Sequence, residues 1–301
     1  MRQEGAATLA SGGSSVPKRQ LGRYLKQARE EAGIPLEAAA KRLEWSRARM
    51  YRIEGAQTSV RTHDVELMCR IYGTSDEMRS ALVALAAESK SRGWWHAYGD
   101  AIPEWFELYV GLEAAACHLR WYEPALIPGL LQTPDYMTAV FQTKPGRTAD
   151  EVARKVALRL ERQRLLTRRS PAAPRLEVVI DESVVRRPPK NVGGWQEQLA
   201  HLANVGQSAA NVSVRLLPMG VGPHSASVAG AFVVLDFPRI GTRPAEPSTV
   251  YSEALTGSLY LDRPGDVSAY VDAWSTLWES ALDERASEDL LSTVIKESYD
   301  E

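Results

Sequence analysis

The sequence predicts a mainly α protein: a helical N-terminal domain, then an α+β domain whose small sheet, mixed or antiparallel, carries packed helices. Three observations lead there. Up to about residue 90, apolar residues recur at three- and four-residue spacing between Ser, Gly and Pro punctuation. β-branched runs and period-two alternation appear only after Pro171. Charge divides in a similar place. Residues 1–92 hold 16 Lys and Arg against 11 Asp and Glu, leaving 20 against 27 of the totals of 36 and 38 for the remainder. A length of 301 residues suits about two domains, and 44% apolar with 25% charged residues suits a globular core. The expected division is a disordered Gly/Ala/Ser-rich lead over 1–17, a helical domain over 18–92, and a regulatory or dimerising domain over 93–301.

The first helix is expected from Lys18 to Ala32, on the spacing of Leu21, Tyr24, Leu25 and Ala28, with Gly33 as its stop. Pro35 suits the first turn of the second helix, whose inward face is Ala39, Ala40 and Leu43. Ser46 is a good N-cap for the third helix, because its hydroxyl can accept an orphan backbone N–H. Met50 and Ile53 turn that helix to the core and leave Arg47, Ala48, Arg49 and Arg52 outward. Thr62 is read as the cap of a helix ending at Gly73, and Ser75 or Asp76 as the start of another that carries Met78, Leu82, Leu85 and Ala86.

These residues carry a resemblance. The pattern Gly-Ile-x-Leu-Glu-x-x-Ala-x-x-Leu-x-Trp-Ser-x-x-x-Met-x-Arg-Ile-Glu, from Gly33 to Glu54, resembles the helix-turn-helix domain of the Cro/lambda-repressor (xenobiotic-response-element) family. The resemblance spans roughly 20–87 and implies a five-helix domain that binds double-stranded DNA with its third helix, 46–54, in the major groove. Three features depart from the pattern. Pro35 and Leu36 replace a polar pair, Glu44 stands where glycine commonly makes the turn, and Gly55-Ala56 shifts an expected glycine by one place. On charge alone, the arginines would read as a solvated helix face. Within this framework, Arg47, Ala48, Arg49 and Arg52 are the candidate base contacts, since arginine pairs bidentately with guanine. Lys41, Arg42, Ser46 and Arg61 are the candidate backbone contacts, which position without specifying. Glu54 is expected to pair internally, because phosphate repels it. A dimer is expected, because two recognition helices about one DNA turn apart give affinity and palindromic specificity.

After Gly93 the composition changes. Trp94, Trp95, Tyr98, Trp105, Phe106 and Tyr109 crowd together, as either a core or the wall of a pocket. Helical spacing continues from Tyr109 to Tyr122, Pro and Gly break it after Glu123, Thr133-Pro134-Asp135 starts a new helix at Tyr136, and a charged helix is expected from Asp150 to Arg169. Gly-Trp-Trp, Leu-Glu-Ala-Ala-Ala, Ile-Pro-Gly-Leu-Leu-Gln-Thr-Pro-Asp-Tyr and Arg162-Gln-Arg-Leu-Leu166 together resemble the uncharacterised domain that follows this helix-turn-helix in many actinobacterial (Streptomyces-type) regulators. Strands are expected at 176–180, 211–217, 229–237 and 248–253, with a helix at 195–203 and closing helices at 266–282 and 284–298. The stripe Val267, Tyr270, Val271, Trp274, Leu277 and Trp278 reads as core or dimer seam.

An enzyme is not expected. There is no His-Glu-x-x-His, no Gly-x-Ser-x-Gly and no phosphate loop. Gly220-Val-Gly222 reads as a loop and Asp181-Glu182 as a solvated acidic pair. No metal or cofactor is expected. Cys69 and Cys117 read as buried free thiols of a cytoplasmic chain. No apolar window is long enough to span a membrane. The aromatic Trp94, Trp95 and Trp105, with His224 on the loop from Pro218 to Gly230, are the candidate pocket for a small molecule or partner protein. Three readings stay open at this point: a DNA-binding transcriptional regulator, an antitoxin-like switch controlled by a partner protein, and a small-molecule-responsive repressor.

Overall fold

Serine caps start two of the N-terminal helices. The computed structural model describes residues 15–89, 104–189, 194–239, 246–255 and 257–298, in two compact units, Met1–Ala97 and Tyr98–Glu301. Among the described residues the first unit has five helices: α1 (Ser15–Glu31), α2 (Leu36–Arg42), α3 (Arg47–Glu54), α4 (Thr62–Tyr72) and α5 (Asp76–Glu88). Helix α1 already holds residues 15–17, which the sequence reading left in the lead; residues 1–14 lie outside the described residues. Ser46 caps α3 by accepting the Arg49 N–H at 3.2 Å, and Ser75 caps α5 by accepting that of Met78. At α4 the N-cap is Arg61, and Thr62 is the first helical residue rather than the cap. Leu25, Ala39, Met50, Val65, Met68 and Leu82 are fully buried and close the core of this unit. Gly22 lets α1 approach the end of α3, because a Cβ there would sit 2.7 Å from the Ile53 carbonyl oxygen.

The second unit is built on a mixed sheet of six strands among the described residues, in the order β3-β2-β1-β4-β5-β6. The strands are β1 (His118–Glu123), β2 (Arg175–Asp181), β3 (Val212–Leu217), β4 (Phe232–Asp236), β5 (Thr249–Ala254) and β6 (Gly257–Leu261). β1, β2 and β3 run parallel, and β4, β5 and β6 add antiparallel pairs. The helices are α6 (Glu104–Ala115), α7 (Pro134–Gln142), α8 (Ala149–Gln163), the short α9 (Glu182–Val185), α10 (Trp195–Ser208), α11 (Pro264–Ser280) and α12 (Glu284–Glu297). On one face, α11 lays Trp274 and Leu277 against Tyr122, Val179, Phe232 and Val250, so the aromatic stripe of that helix is core. The outer edge of β3 is closed by the Leu282 N–H on the Leu216 carbonyl and by Ser287 Oγ accepting the Leu216 N–H.

Two strands differ from the sequence expectation. The helical spacing read through Tyr122 stops at Ala115, and residues 118–123 are instead the strand between β2 and β4. Leu112, Ala115, Ala116 and Leu119 fit a helix as well as Leu119 and Trp121 fit a strand, and pairing on both sides decides for the strand. Cys117 consequently joins the ladder, with its N–H on the Asp236 carbonyl, and its thiol is exposed rather than buried. Strand β6, with Gly257 and Ser258, has little strand propensity and forms by pairing with β5. The charged helix also ends earlier, at Gln163, followed by a single 3₁₀ turn from Arg164 to Leu166.

Candidate functional site

The turn between α2 and α3 is set by a left-handed residue. Glu44 has φ 56°, its N–H bonds to the Lys41 carbonyl and the Trp45 N–H to that of Ala40. This is the Schellman C-cap, with glutamate in the position that favours glycine. Helix α3 ends the same way: Ala56 has φ 55°, while Gly55 keeps an ordinary φ of −82°. The shifted glycine in the sequence is therefore not the residue that adopts the left-handed conformation.

Met50 and Ile53 are buried, and Arg47, Ala48, Tyr51 and Arg52 face solvent. Arg47 Nε lies 3.0 Å from Glu37 Oε1 of α2, with both side chains well exposed. Arg52 is exposed, as are Lys41, Arg42, Ser46 and Arg61. Arg49 is different. Its Nη2 donates to Asp64 Oδ2 of α4 at 2.8 Å, and its guanidinium lies 3.8 Å over the Trp45 ring. That bond uses one of the five guanidinium N–H donors, and the side chain is 41% exposed. Tyr51, 64% exposed, was not among the sequence candidates. Helical arithmetic alone places it beside them, one turn on from Arg47 and Ala48.

Beneath this face, Arg29 of α1 donates through Nε and Nη2 to the two Glu54 carboxylate oxygens at 2.7 and 2.9 Å, and through Nη1 to the Ile34 carbonyl. Both side chains are buried. The bond to Glu54 holds the Arg29 pKa above its ordinary value in spite of burial. Glu54 thus pairs internally and fixes the end of α3.

In the second unit a cleft of about 730 Å³ opens between α6, α7, α8 and the ends of β1 and β5. Phe106, Tyr109, Trp121, Phe141 and Tyr251 wall it, with Arg147, Lys155, Arg159 and Arg162 on the helical side and Glu123 and Glu253 on the strands. The Tyr109 and Tyr251 rings stack at 4.1 Å. Arg162 is paired bidentately with the buried Glu113 at 2.7 and 2.9 Å. Arg159 bonds to the Gln132 side-chain oxygen through Nη1 and lies 4.3 Å over the Phe141 ring. Burial pushes the Glu123 carboxyl up to about 7, against hydrogen bonds from Trp121 Nε1 and the Ala125 and Leu126 N–H groups.

Of the pocket candidates, His224 is not in this cleft. Its Nε2 lies 3.3 Å from the Tyr122 hydroxyl, edge-on to that ring. Trp94 and Trp95 lie outside the described residues, as does the side chain of Trp105, whose backbone is in the first turn of α6. The true lining was hidden because it comes from segments spread between residues 106 and 255. Asp181 and Glu182 are not a solvated pair: Asp181 caps α9, and Glu182 binds Arg186 and accepts the Met219 N–H. Among the described residues no helix is long and apolar enough to cross a membrane.

Comparison with known families finds two matches. A helix-turn-helix domain model matches residues 20–82, and a model described as a domain of unknown function (DUF5753) matches residues 106–293. No curated protein and no solved structure matches the chain.

Proposed function

We propose that this chain, which belongs to the DUF5753 family and carries a helix-turn-helix domain ahead of it, is a dimeric, sequence-specific transcriptional regulator controlled through its C-terminal domain. The helix-turn-helix domain makes DNA its partner. The observation that carries the finer reading is the outward face of α3, where Arg47, Ala48, Tyr51 and Arg52 stand clear of a core closed by Met50 and Ile53. Arg47 and Arg52 supply donors for guanine edges. Ala48 admits close approach, and Tyr51 can meet a thymine methyl or a phosphate. Lys41, Arg42, Ser46 and Arg61 then contact phosphates. Arg49 braces α3 against α4 through Asp64 and keeps further N–H donors for a DNA acceptor. A cleft in the size range of small-molecule sites favours an effector over a partner protein as the controlling signal.

The test is binding to a duplex selected from a random pool, compared with a scrambled duplex. Arg47→Ala and Arg52→Ala should each cost about 1 to 3 kcal/mol on the selected duplex and little on the scrambled one. Lys41→Ala should weaken both and lower the salt slope by about one. Equal losses on both duplexes for the two arginines contradict base reading.

A further inference from the structure

Two arginines, one helical turn apart on α8, reach the cleft of the second unit in different electrostatic states. Arg162 is neutralised by Glu113. Arg159 has only the neutral Gln132 and the Phe141 face; no carboxylate lies within ion-pair distance of it among the described residues, and its buried Nε has no hydrogen-bond partner. A desolvated cation without a counter-ion is costly, so such a site favours an incoming anion. Burial, and then the like charge of Arg162, push the Arg159 pKa down, against the more distant carboxylates of Glu253 and Glu113. Arg147 and Lys155 line the cleft beside these two arginines, and burial, then the charges of Arg147, Lys144 and Arg159, lower the Lys155 pKa.

Aromatic rings line the same cleft. Tyr109 is 1% exposed, and its hydroxyl lies beside the Glu113 carboxylate. Phe106, which is half-buried, offers aromatic surface to a flat ring, and Trp121 and the stacked pair Tyr109 and Tyr251 line the cleft with it. Of the two acids of the cleft, Glu253 accepts from the Tyr251 hydroxyl and acts on Arg159 only from beyond ion-pair distance, and Glu123 accepts from Trp121 Nε1.

We propose that this cleft binds a small aromatic carboxylate, its anionic end on Arg159 and its ring against the aromatic wall. The proposal rests on the reading of the C-terminal domain as the controlling one, and names the chemistry of its signal.

The experiment uses the full chain with 2-naphthoate and its neutral counterpart 2-naphthamide, followed by calorimetric titration. The acid should bind saturably with a Kd on the order of 1 mM or tighter. The amide should bind at least about 10-fold more weakly, because it lacks the charge-assisted bond. Arg159→Gln should lower the affinity for the acid by about 10- to 100-fold and leave the amide unchanged. The acid-to-amide comparison uses the unaltered protein, so it decides the matter even where the variant fails to fold. Equal binding of acid and amide, or no saturable binding of either up to about 10 mM, overturns the proposal. DNA affinity is measured on the same samples. Saturable acid binding that leaves DNA affinity unchanged upholds the site and overturns its controlling role. Failure of the unaltered protein to prefer the selected duplex overturns the regulator reading without touching the site.

Discussion

Glu44 and Ala56 occupy left-handed positions at the two ends of the interhelical turns that frame α3. An L side chain there costs about 1 to 2 kcal/mol against glycine, partly offset by glycine's greater unfolded-state freedom. Glu44→Gly and Ala56→Gly should therefore each stabilise the protein by about 0.5 to 1 kcal/mol, read as a rise in the denaturant midpoint of the first unit. No change, or a fall, contradicts the backbone account. Glu123 gives a prediction of opposite kind. Its folded pKa of about 7 lies above the ordinary 4.5, so the folded protein binds a proton that the unfolded chain has released. Its contribution to stability is present below about pH 4.5 and is lost as pH rises to about 7. Glu123→Gln has no such proton to lose. Its stability relative to the parent should grow by up to about 3 kcal/mol between these limits and then level off. Thermal midpoints of both proteins across that range check this, and a constant gap refutes it.

At the scale of elements, α3 is held by two ion pairs of unequal weight. Arg29 and Glu54 are buried and bidentate, so removing one partner strands a charge in the core. Arg29→Ala should cost about 3 to 5 kcal/mol. Arg49 and Asp64 are partly exposed, and Asp64→Asn should cost about 1 kcal/mol or less. Chemical denaturation of the two variants measures the difference; equal losses would mean that α3 is not anchored through α1. The helices of this unit are legible in the sequence because their signals are local: Ser46 and Ser75 as caps, Gly33 and Gly73 as stops, Met50 and Ile53 three apart. The exposed base-reading candidates follow from the same spacing, which also implies Tyr51. What local pattern does not show is that Arg49 turns back onto Trp45 and Asp64, since Asp64 is fifteen residues away. β1 was hidden for a related reason, because its apolar spacing satisfies two periods and only β2 and β4 choose between them.

Across the whole molecule, the two units differ in how much of their chemistry the chain order reveals. The outward face of the first lies within one helix. The cleft of the second is assembled from α6, α7, α8 and the ends of β1 and β5, so no motif marks it, and His224, though polar and close to the sheet, packs on Tyr122 instead. The central claim is that a dimer of this chain reads the major groove through α3. Methylation interference on the selected duplex tests it most directly, because a methyl group on guanine N7 blocks major-groove contacts alone. The account predicts two clusters of interfering guanines centred about 10 base pairs apart, or a multiple of that, each lost in Arg47→Ala or Arg52→Ala. Interference confined to adenine N3 in the minor groove, or binding indifferent to methylation at every guanine, would contradict it.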